Sequence, residues 1–272
     1  MVDDLSGRVV AITGAARGIG LALSRELTRR GARVAMGDVD VDELMSASPG
    51  LDVALRHELD VTDASSFARF LQDTAEELGP LDVLVNNAGI MPTGPVVDQD
   101  DEMDRRVLEV NIGGVVRGTR LALVDMLPRH RGHIVNMASM LGELASPGVA
   151  SYCGTKFAVV GFTDAVRREV RGTGVHLTTV LPSFVDSRMT QGLPSVRGFR
   201  NLTPEEVAVS VAGAIERRRS KVYVPRSAGV VLQLQRLLPS RGVDALMRPF
   251  GLDRMFTGPR RGATGTVDGP DR

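Results

Sequence analysis

The sequence is poor in the features that mark secreted, membrane-spanning and nucleic-acid-binding proteins. It has one cysteine, Cys153, so no disulfide can form within the chain and the fold does not need an oxidising compartment. No apolar stretch reaches the roughly 18 residues of a membrane span. The opening residues, MVDDLSGRVV, carry acids where a signal peptide carries basic residues. The formal net charge of +0 gives no reason to expect a nucleic acid partner. We therefore expect a cytoplasmic protein that spans no membrane and binds no nucleic acid.

Metal ligands are also scarce. The four histidines, His57, His130, His133 and His176, show no zinc-type spacing with acids or with the cysteine, and we expect no metal site. The chain has 272 residues, of which 43% are hydrophobic and 24% are charged. That length is enough to bury one large core.

Apolar, β-branched runs alternate with longer amphipathic stretches such as residues 21–30 and 65–78. This alternation is typical of βαβ units. Sequential right-handed crossovers place helices on both faces of a parallel sheet. The sequence therefore predicts an α/β fold, with a doubly wound parallel sheet in three layers. Strands are predicted at residues 9–13, 33–38, 54–59, 81–86, 132–138, 175–181 and 221–224.

The alternating pattern ends after Pro225. We predict one domain over residues 1–256, with 226–256 as a helical C-terminal extension and 257–272 as a flexible tail. The many apolar side chains of the extension need a place to be buried. They could pack on the domain or on a neighbouring subunit, cover a substrate pocket as a lid, or lie on a membrane surface. The arginines are spread along the extension and not gathered beside one apolar stripe, which favours the lid.

A glycine-rich turn, TGAARGIG, follows the first predicted strand and opens the first predicted helix. Its glycines let the backbone approach a pyrophosphate, and the free N–H groups at a helix N-terminus attract negative charge. The turn in this strand–turn–helix setting predicts a dinucleotide site. The residues assigned to it are Gly14, Arg17, Gly18, Ile19 and Gly20.

Asp38, at the end of the second predicted strand, bears on which dinucleotide is bound. It lies 18 residues after Gly20 and can accept hydrogen bonds from both hydroxyls of the adenosine ribose. It would also repel a 2′-phosphate, which favours NAD over NADP. Arg17 keeps NADP open, since its basic side chain could meet that phosphate. A solvated turn carboxylate beside Asp40 is the plain structural alternative.

Tyr152 and Lys156 are four residues apart, which places them on one face of a helix. A free tyrosine has a pKa near 10, and a nearby ammonium is expected to lower it enough for acid/base work. Ser139, after the fifth predicted strand, could hold a substrate oxygen. A surface pair with no chemical role is the alternative for the tyrosine and the lysine alone.

In combination, these motifs resemble the classical short-chain dehydrogenase/reductase family over roughly residues 7–224. The resemblance rests on the glycine-rich turn, Asn86-Asn87-Ala88-Gly89, Asn111, Ser139 and the motif from Tyr152 to Lys156, in their order and spacing. It implies a Rossmann-type domain. It also implies that Tyr152 is the general acid/base, that Lys156 binds the nicotinamide ribose and lowers the tyrosine pKa, and that Ser139 orients the substrate oxygen. Asn111 would hold a water in a proton relay.

Further cofactor contacts follow from the same resemblance. Asp60 and Val61 would meet the adenine, and the Asn87-Ala88-Gly89 segment would run past the adenosine ribose. The nicotinamide carboxamide would be held near Pro182 by the Val185 backbone and the Ser187 hydroxyl. Ser183 stands where the family usually has glycine. Apart from the resemblance, Asn111 and the two glycines that follow Ile112 predict a local kink in the otherwise helical stretch 101–127.

The sequence predicts an oxidoreductase that moves a hydride between NAD and an alcohol or carbonyl carbon, on a bulky, apolar substrate. The alternatives are an NADPH-dependent ketoreductase, a catalytically silent nucleotide-binding protein, and a sugar-nucleotide epimerase or dehydratase. The glycine spacing and length disfavour the last.

The predicted helix 151–171 carries more apolar residues than one buried face needs: Val159, Val160, Phe162 and Val166. They predict a homodimer or homotetramer, as is common in the family; burial in the core of one chain is the alternative.

Overall fold

Seven parallel strands form the central sheet of the computed structural model, which describes residues 3–47, 50–51, 53–192, 200–235, 238–239, 241–243 and 256. Their order in the sheet is β3-β2-β1-β4-β5-β6-β7. The order reverses between β1 and β4, and this is where doubly wound sheets open a crevice for ligands at the strand ends. The strands are β1 (Val9–Thr13), β2 (Arg33–Asp38), β3 (Leu55–Glu58), β4 (Val83–Asn86), β5 (Gly132–Met137), β6 (Val175–Pro182) and β7 (Lys221–Val224).

Helices cover both faces of the sheet, so the predicted three-layer α/β fold is confirmed. Helices α1 and α7 pack together on one face, over a core that includes Leu23, Met36 and Val211. Helices α3, α5 and α6 contribute to the core on the other face, which includes Phe67, Phe70 and Met126. The helices are α1 (Gly18–Arg29), α2 (Val41–Ser46), α3 (Ala64–Leu78), α4 (Asp101–Leu108), α5 (Gly114–Met126), α6 (Ala150–Glu169), α7 (Pro204–Glu216) and α8 (Arg226–Gln235).

The predicted strands agree with the observed ones to within one or two residues at their ends. The helical stretch 101–127 is interrupted as predicted: a π-helical turn, Glu109–Gly113, separates α4 from α5 and holds Asn111. Such turns recur at functional sites. Gly114 packs closely just after the turn: a Cβ there would lie 3.0 Å from the side chain of Val61.

The apolar residues of α6 pack differently from the prediction of a subunit interface. Val159, Val160 and Val166 are all buried within the core of the chain, and Phe162 is partly buried against it. The spacing of these residues could not show that α6 packs against two buried clusters. Val166 belongs to the cluster of α3 and α5, and Val159 and Val160 belong to a second cluster with Leu181. The three valines are therefore not available to a subunit interface, and for them the alternative, burial in the core of one chain, is the outcome.

The C-terminal extension is described only in part. Helix α8 packs on the domain through Ala228, Gly229 and Leu232. Phe256 is 2% exposed and packs beside Phe184 in the site described below. Residues 244–255 and the predicted tail 257–272 lie outside the described residues, so the domain boundary at 256 and the tail stay predictions. Among the described helices, none is long and apolar enough to cross a membrane.

His133 in β5 predicts acid-sensitive folding. Burial, reinforced by the nearby His176 and Arg218, lowers the pKa of His133 from 6.5 to about 3, and its Nε2 lies 2.7 Å from the Thr178 hydroxyl. The unfolded chain then binds the proton more tightly than the folded one between pH 6.5 and 3, so stability is lost as pH falls through that window. The loss should be on the order of 4 kcal/mol.

Replacing His133 by Gln should therefore move the acid-unfolding midpoint, followed by circular dichroism, to lower pH. His130→Asn is the matched control, because His130 is exposed and its positive φ of 50° is one that asparagine tolerates. An unchanged acid midpoint in His133→Gln would contradict the prediction.

Candidate active site

The cleft at the carboxyl ends of the strands is large, with a volume of about 1270 Å³. It runs past the ends of β1, β2, β4, β5 and β6, and it gathers the side chains that the sequence singled out. Of the predicted site residues, the lining includes Gly14, Arg17, Gly18, Ile19, Asp38, Asp60, Val61, Asn87, Ala88, Gly89, Ser139, Tyr152, Lys156, Pro182, Val185 and Ser187. Gly20 and Asn111 lie just behind this lining.

The glycine-rich turn is shaped by close backbone packing. Gly14 has a φ of +65°, and a Cβ on it would lie 2.7 Å from Cα of Ala88; a Cβ on Gly20 would lie 2.1 Å from the Gly14 carbonyl oxygen. Asn87 fixes the turn from β4, since its side-chain amide donates to the carbonyls of Thr13 and Gly14. Among the described residues, no side chain caps the N-terminus of α1, so its first N–H groups have no side-chain acceptor there. The first residues of the helix, Gly18 and Ile19, line the cleft.

Asp38 is buried at the end of β2, where it lines the cleft. Its carboxylate accepts hydrogen bonds from the backbone N–H groups of Ala16, at 2.9 Å, and Asp40, at 3.1 Å. The acid thus joins the end of β2 to the glycine-rich turn. Arg17 was the residue whose basic side chain could have met the 2′-phosphate of NADP. Its guanidinium instead pairs with two acids, lying 2.7 Å from the Asp40 carboxylate and 3.5 Å from that of Glu43.

Asp60 and Val61 follow β3 at the far end of the cleft. One carboxylate oxygen of Asp60 accepts hydrogen bonds from both the backbone N–H and the hydroxyl of Thr62. The other carboxylate oxygen of Asp60 has no hydrogen-bond partner among the described residues. Val61 is 7% exposed, and its carbonyl accepts a hydrogen bond from Arg117.

Tyr152 lies in the first turn of α6, facing the end of β5. Burial raises its pKa to about 12, and a hydrogen bond with Ser139 opposes that rise only in part. The expected lowering by Lys156 is not observed. The lysine Nζ lies 5.5 Å from the centre of the tyrosine ring and donates to the Met137 carbonyl at 2.9 Å. Desolvation of the phenolate therefore outweighs the ammonium, and Tyr152 is protonated at neutral pH.

Lys156 is buried one helical turn after Tyr152. Desolvation lowers the pKa of its ammonium from 10.5 to about 8, so the charged form still dominates at neutral pH. A Cβ on Gly89 would lie 3.6 Å from the lysine Nζ and 3.2 Å from Oδ1 of Asn111, so the loop after β4 passes close to both side chains. The site thus holds a neutral phenol and a cation in one water-poor corner.

Asn111 is fully buried in the π-helical turn. Its side-chain oxygen accepts a hydrogen bond from the Ile90 N–H at 2.8 Å, and its amide donates to the Ile90 carbonyl and the Thr155 hydroxyl. The side chain therefore clamps the loop after Gly89 to α6. Its predicted role in a proton relay is not tested by these contacts and stays a prediction.

The segment after β6 forms the opposite wall of the cleft. Val185 is buried and pairs with Leu202, and Ser187 is half-buried at the start of a short 3₁₀ turn, Arg188–Thr190. Ser183, which replaces the glycine usual in the family, is 8% exposed, and its hydroxyl has no hydrogen-bond partner among the described residues. A buried hydroxyl without a partner is costly unless a ligand supplies one.

An apolar wall stands beside Tyr152, and the sequence analysis did not assign it. It belongs to one buried cluster, of which Met140, Leu141, Phe184 and Phe256 line the cleft, while Leu144 and Val149 belong to the cluster without lining the cleft. The rings of Phe184 and Phe256 have centroids 6.4 Å apart. The signal for this wall was present, since Phe184 stands between Ser183 and Val185 in the segment after β6 and Phe256 ends the predicted extension. Without coordinates, nothing showed that they meet.

Comparisons with known proteins decide the family. The family model described as short chain dehydrogenase matches residues 8–197. The chain belongs to the short-chain dehydrogenase family. Human 17-beta-hydroxysteroid dehydrogenase 13 is 32% identical over 251 residues, covering 90% of this chain and 83% of that protein. A 2-(S)-hydroxypropyl-CoM dehydrogenase of Xanthobacter autotrophicus is 38% identical, covering 78% and 90%. The FabG 3-oxoacyl-[acyl-carrier-protein] reductase of Thermotoga maritima is 34% identical, covering 70% and 79%.

Among solved structures, a short-chain dehydrogenase/reductase from Burkholderia phymatum in complex with NAD has the same fold, with a TM-score of 0.79 and 24% identity. The match covers 94% of this chain and 99% of that one. As a short-chain dehydrogenase, the protein is an oxidoreductase, so the predicted class is confirmed. Within the described part of the chain, no three potential metal ligands lie together.

Proposed function

We propose that this short-chain dehydrogenase oxidises an alcohol, or reduces the matching carbonyl, with NAD as the hydride carrier. The observation that carries the proposal is the meeting of Ser139, Tyr152 and Lys156 in one buried corner of the cleft. A protonated phenol hydrogen-bonded to a serine hydroxyl is a ready proton donor to an oxygen placed between them.

The cleft fits a dinucleotide on its own geometry. The glycines leave room for backbone next to the phosphates, the uncapped end of α1 offers N–H groups, and Asp38 offers carboxylate oxygens for ribose hydroxyls. The unpartnered Ser183 hydroxyl adds a polar group in the wall expected to face the nicotinamide. A bound nicotinamide ring supplies or accepts the hydride.

The residues of the chain position the substrate and move its proton. Ser139 and Tyr152 hold the substrate oxygen; in reduction Tyr152 gives its proton to that oxygen, and in oxidation the phenolate takes the proton back. Lys156 provides positive charge beside the phenolate, and Asn111 keeps the loop after β4 in place. Because the pKa of Tyr152 is about 12, reduction should proceed at neutral pH, and oxidation should accelerate as pH rises.

We further propose that the substrate is bulky and apolar. Met140, Leu141, Phe184 and Phe256 line the cleft beside Tyr152, and such a surface binds hydrocarbon and excludes small polar molecules. Part of the predicted lid, Phe256, lies in this wall. The relative named as a hydroxysteroid dehydrogenase is consistent with a large substrate.

The test is a panel of alcohols and ketones graded from small and hydrophilic to alicyclic and long-chain, followed by NADH absorbance with both NAD and NADP. We expect kcat/KM to rise with apolar size. Turnover restricted to small polar alcohols would contradict the proposed substrate class, and no turnover across the panel would support the catalytically silent alternative.

Preference for NAD follows from Asp38. Asp38→Ala should raise the Kd of NADH about tenfold, because hydrogen bonds to a charged group contribute roughly 1.5 kcal/mol or more. The Kd of NADPH should fall, because the negative charge facing the 2′-phosphate is gone. Asp42→Ala is the control, since Asp42 is an exposed acid on the same segment. A wild-type enzyme that uses NADP as efficiently as NAD would favour the NADPH-dependent ketoreductase instead.

We also propose that the protein is a homodimer or homotetramer, through the outer face of α6. Gly154, Phe157, Ala158, Gly161 and Ala165 are exposed along that face, and Phe157 is 45% exposed. Ala158→Glu should lower the sedimentation coefficient at micromolar concentration to that of a monomer. Ala68→Glu, on the exposed side of α3, should leave the assembly unchanged. A monomeric wild type would refute the proposal.

A further inference from the structure

Two arginines from different segments line the cleft, and one acid of α2 binds both. Arg17 belongs to the glycine-rich turn, and Arg188 follows β6. The Glu43 carboxylate oxygen Oε2 lies 2.7 Å from Nη1 of Arg188 and 3.5 Å from Nη1 of Arg17. Glu43 lies outside every motif by which the sequence resembles its family.

The position of Glu43 is set by the start of α2. The Asp40 side chain caps that helix by accepting from the Glu43 N–H at 3.1 Å, and its other oxygen binds Arg17 at 2.7 Å. Asp40 in turn donates its own backbone N–H to Asp38 at 3.1 Å. Hydrogen bonds and ion pairs through Asp40 and Glu43 therefore connect Asp38, the acid of the predicted ribose site, to both arginines.

The charges in this corner include one more carboxylate than guanidinium. Asp38, Asp40 and Glu43 are the acids, and Arg17 and Arg188 are the bases. The side chain of Arg188 is 65% exposed while that of Glu43 is 21% exposed. A phosphate arriving at the ribose would therefore have to compete with Glu43 for an exposed guanidinium that already has an anionic partner.

We propose that Glu43 is a second determinant of the preference for NAD over NADP, acting by holding Arg17 and Arg188 away from a 2′-phosphate. The inference rests on the proposed NAD-dependent function. Glu43 is a positioning residue, because it acts through the two arginines and not by touching the cofactor. Removing its charge balances the acids and bases of the corner and frees Arg188 to meet a phosphate.

The experiment measures dissociation constants of NADH and NADPH by nicotinamide fluorescence, without any substrate, so it does not depend on turnover. In Glu43→Gln, the ratio of the NADPH Kd to the NADH Kd should fall about tenfold, the size expected of one partly screened charge near a phosphate. Glu43→Asp should restore most of the wild-type ratio. Adding Arg188→Ala to Glu43→Gln should abolish the gain in NADPH binding.

Asp42→Asn is the matched control, because it removes one negative charge from the neighbouring residue, whose side chain is exposed. A ratio in Glu43→Gln within twofold of wild type overturns the inference, as does an equal fall in Asp42→Asn. If the wild type binds NADH tightly but the Glu43 variants leave the ratio of the two dissociation constants unchanged, this inference fails and the proposed function survives. If the wild type binds neither dinucleotide, the proposed function and this inference both fail.

Discussion

Tyr152→Phe should reduce kcat by on the order of a hundred- to ten-thousand-fold, the range typical for loss of a general acid/base. The substitution removes only the hydroxyl that hydrogen-bonds with Ser139. The ring, which packs in the apolar cluster beside the cleft, is kept. Binding of NADH, measured by fluorescence, should therefore change little while turnover is lost. Thermal stability should not fall, because a phenylalanine ring needs no hydrogen-bond partner in a buried position.

The chain offers a matched control for this variant. Tyr223 is the second of two tyrosines, and its hydroxyl donates to the Glu143 carboxylate, which Lys221 also binds at 3.0 Å. Tyr223→Phe removes the same atom from a partly buried position and should leave turnover within a factor of a few of wild type. Equal activity in Tyr152→Phe and wild type would remove Tyr152 from the mechanism.

Lys156→Met should lower the activity of the enzyme without lowering its stability. Methionine keeps the length of the buried side chain but carries no charge, so kcat should fall on the order of a hundredfold or more. The Kd of NADH should rise because the ammonium is expected to bind the nicotinamide ribose. Burial lowers the pKa of Lys156 from 10.5 to about 8, so the unfolded chain binds the proton more tightly and wild-type stability increases as pH rises through that window.

The same shift means that the charged lysine destabilises the fold at neutral pH by about 3 kcal/mol. Lys156→Met should therefore be at least as stable as wild type at neutral pH, even though the Met137 carbonyl loses its donor. Its free energy of unfolding, from urea titration, should also lack the increase between pH 8 and 10.5. A variant that is active, or one that loses stability and activity together, would contradict the roles given to Lys156.

The fold could be predicted because its signals are local and repeated. Most strands are short apolar runs, several of them rich in β-branched residues, and they alternate with amphipathic stretches. The kink at Asn111 follows from Asn and Gly in a helix interior. The motif residues also reach the cleft as predicted, because parallel strands end at the same edge. These predictions needed only the order of residues along the chain.

The features that the sequence could not predict depend on contacts between residues far apart in the chain. The pKa of Tyr152 is set by how completely the corner excludes water, and no spacing records that. The partners of Arg17 lie 23 and 26 residues away, on a helix whose cap had no predicted role. Phe184 and Phe256 are 72 residues apart, yet their rings pack together. Val159 and Val166 likewise gave no sign of which neighbours would bury them.

The most direct test of hydride transfer in this cleft uses NADH that carries deuterium at the transferable position of the nicotinamide. The enzyme is given the best ketone from the panel, and the alcohol product is analysed by mass spectrometry and NMR. We predict one deuterium on the former carbonyl carbon with the wild type, and none above background with Tyr152→Phe over the same time. Alcohol formed without deuterium on that carbon, or equal labelling by the two proteins, would contradict the proposed chemistry.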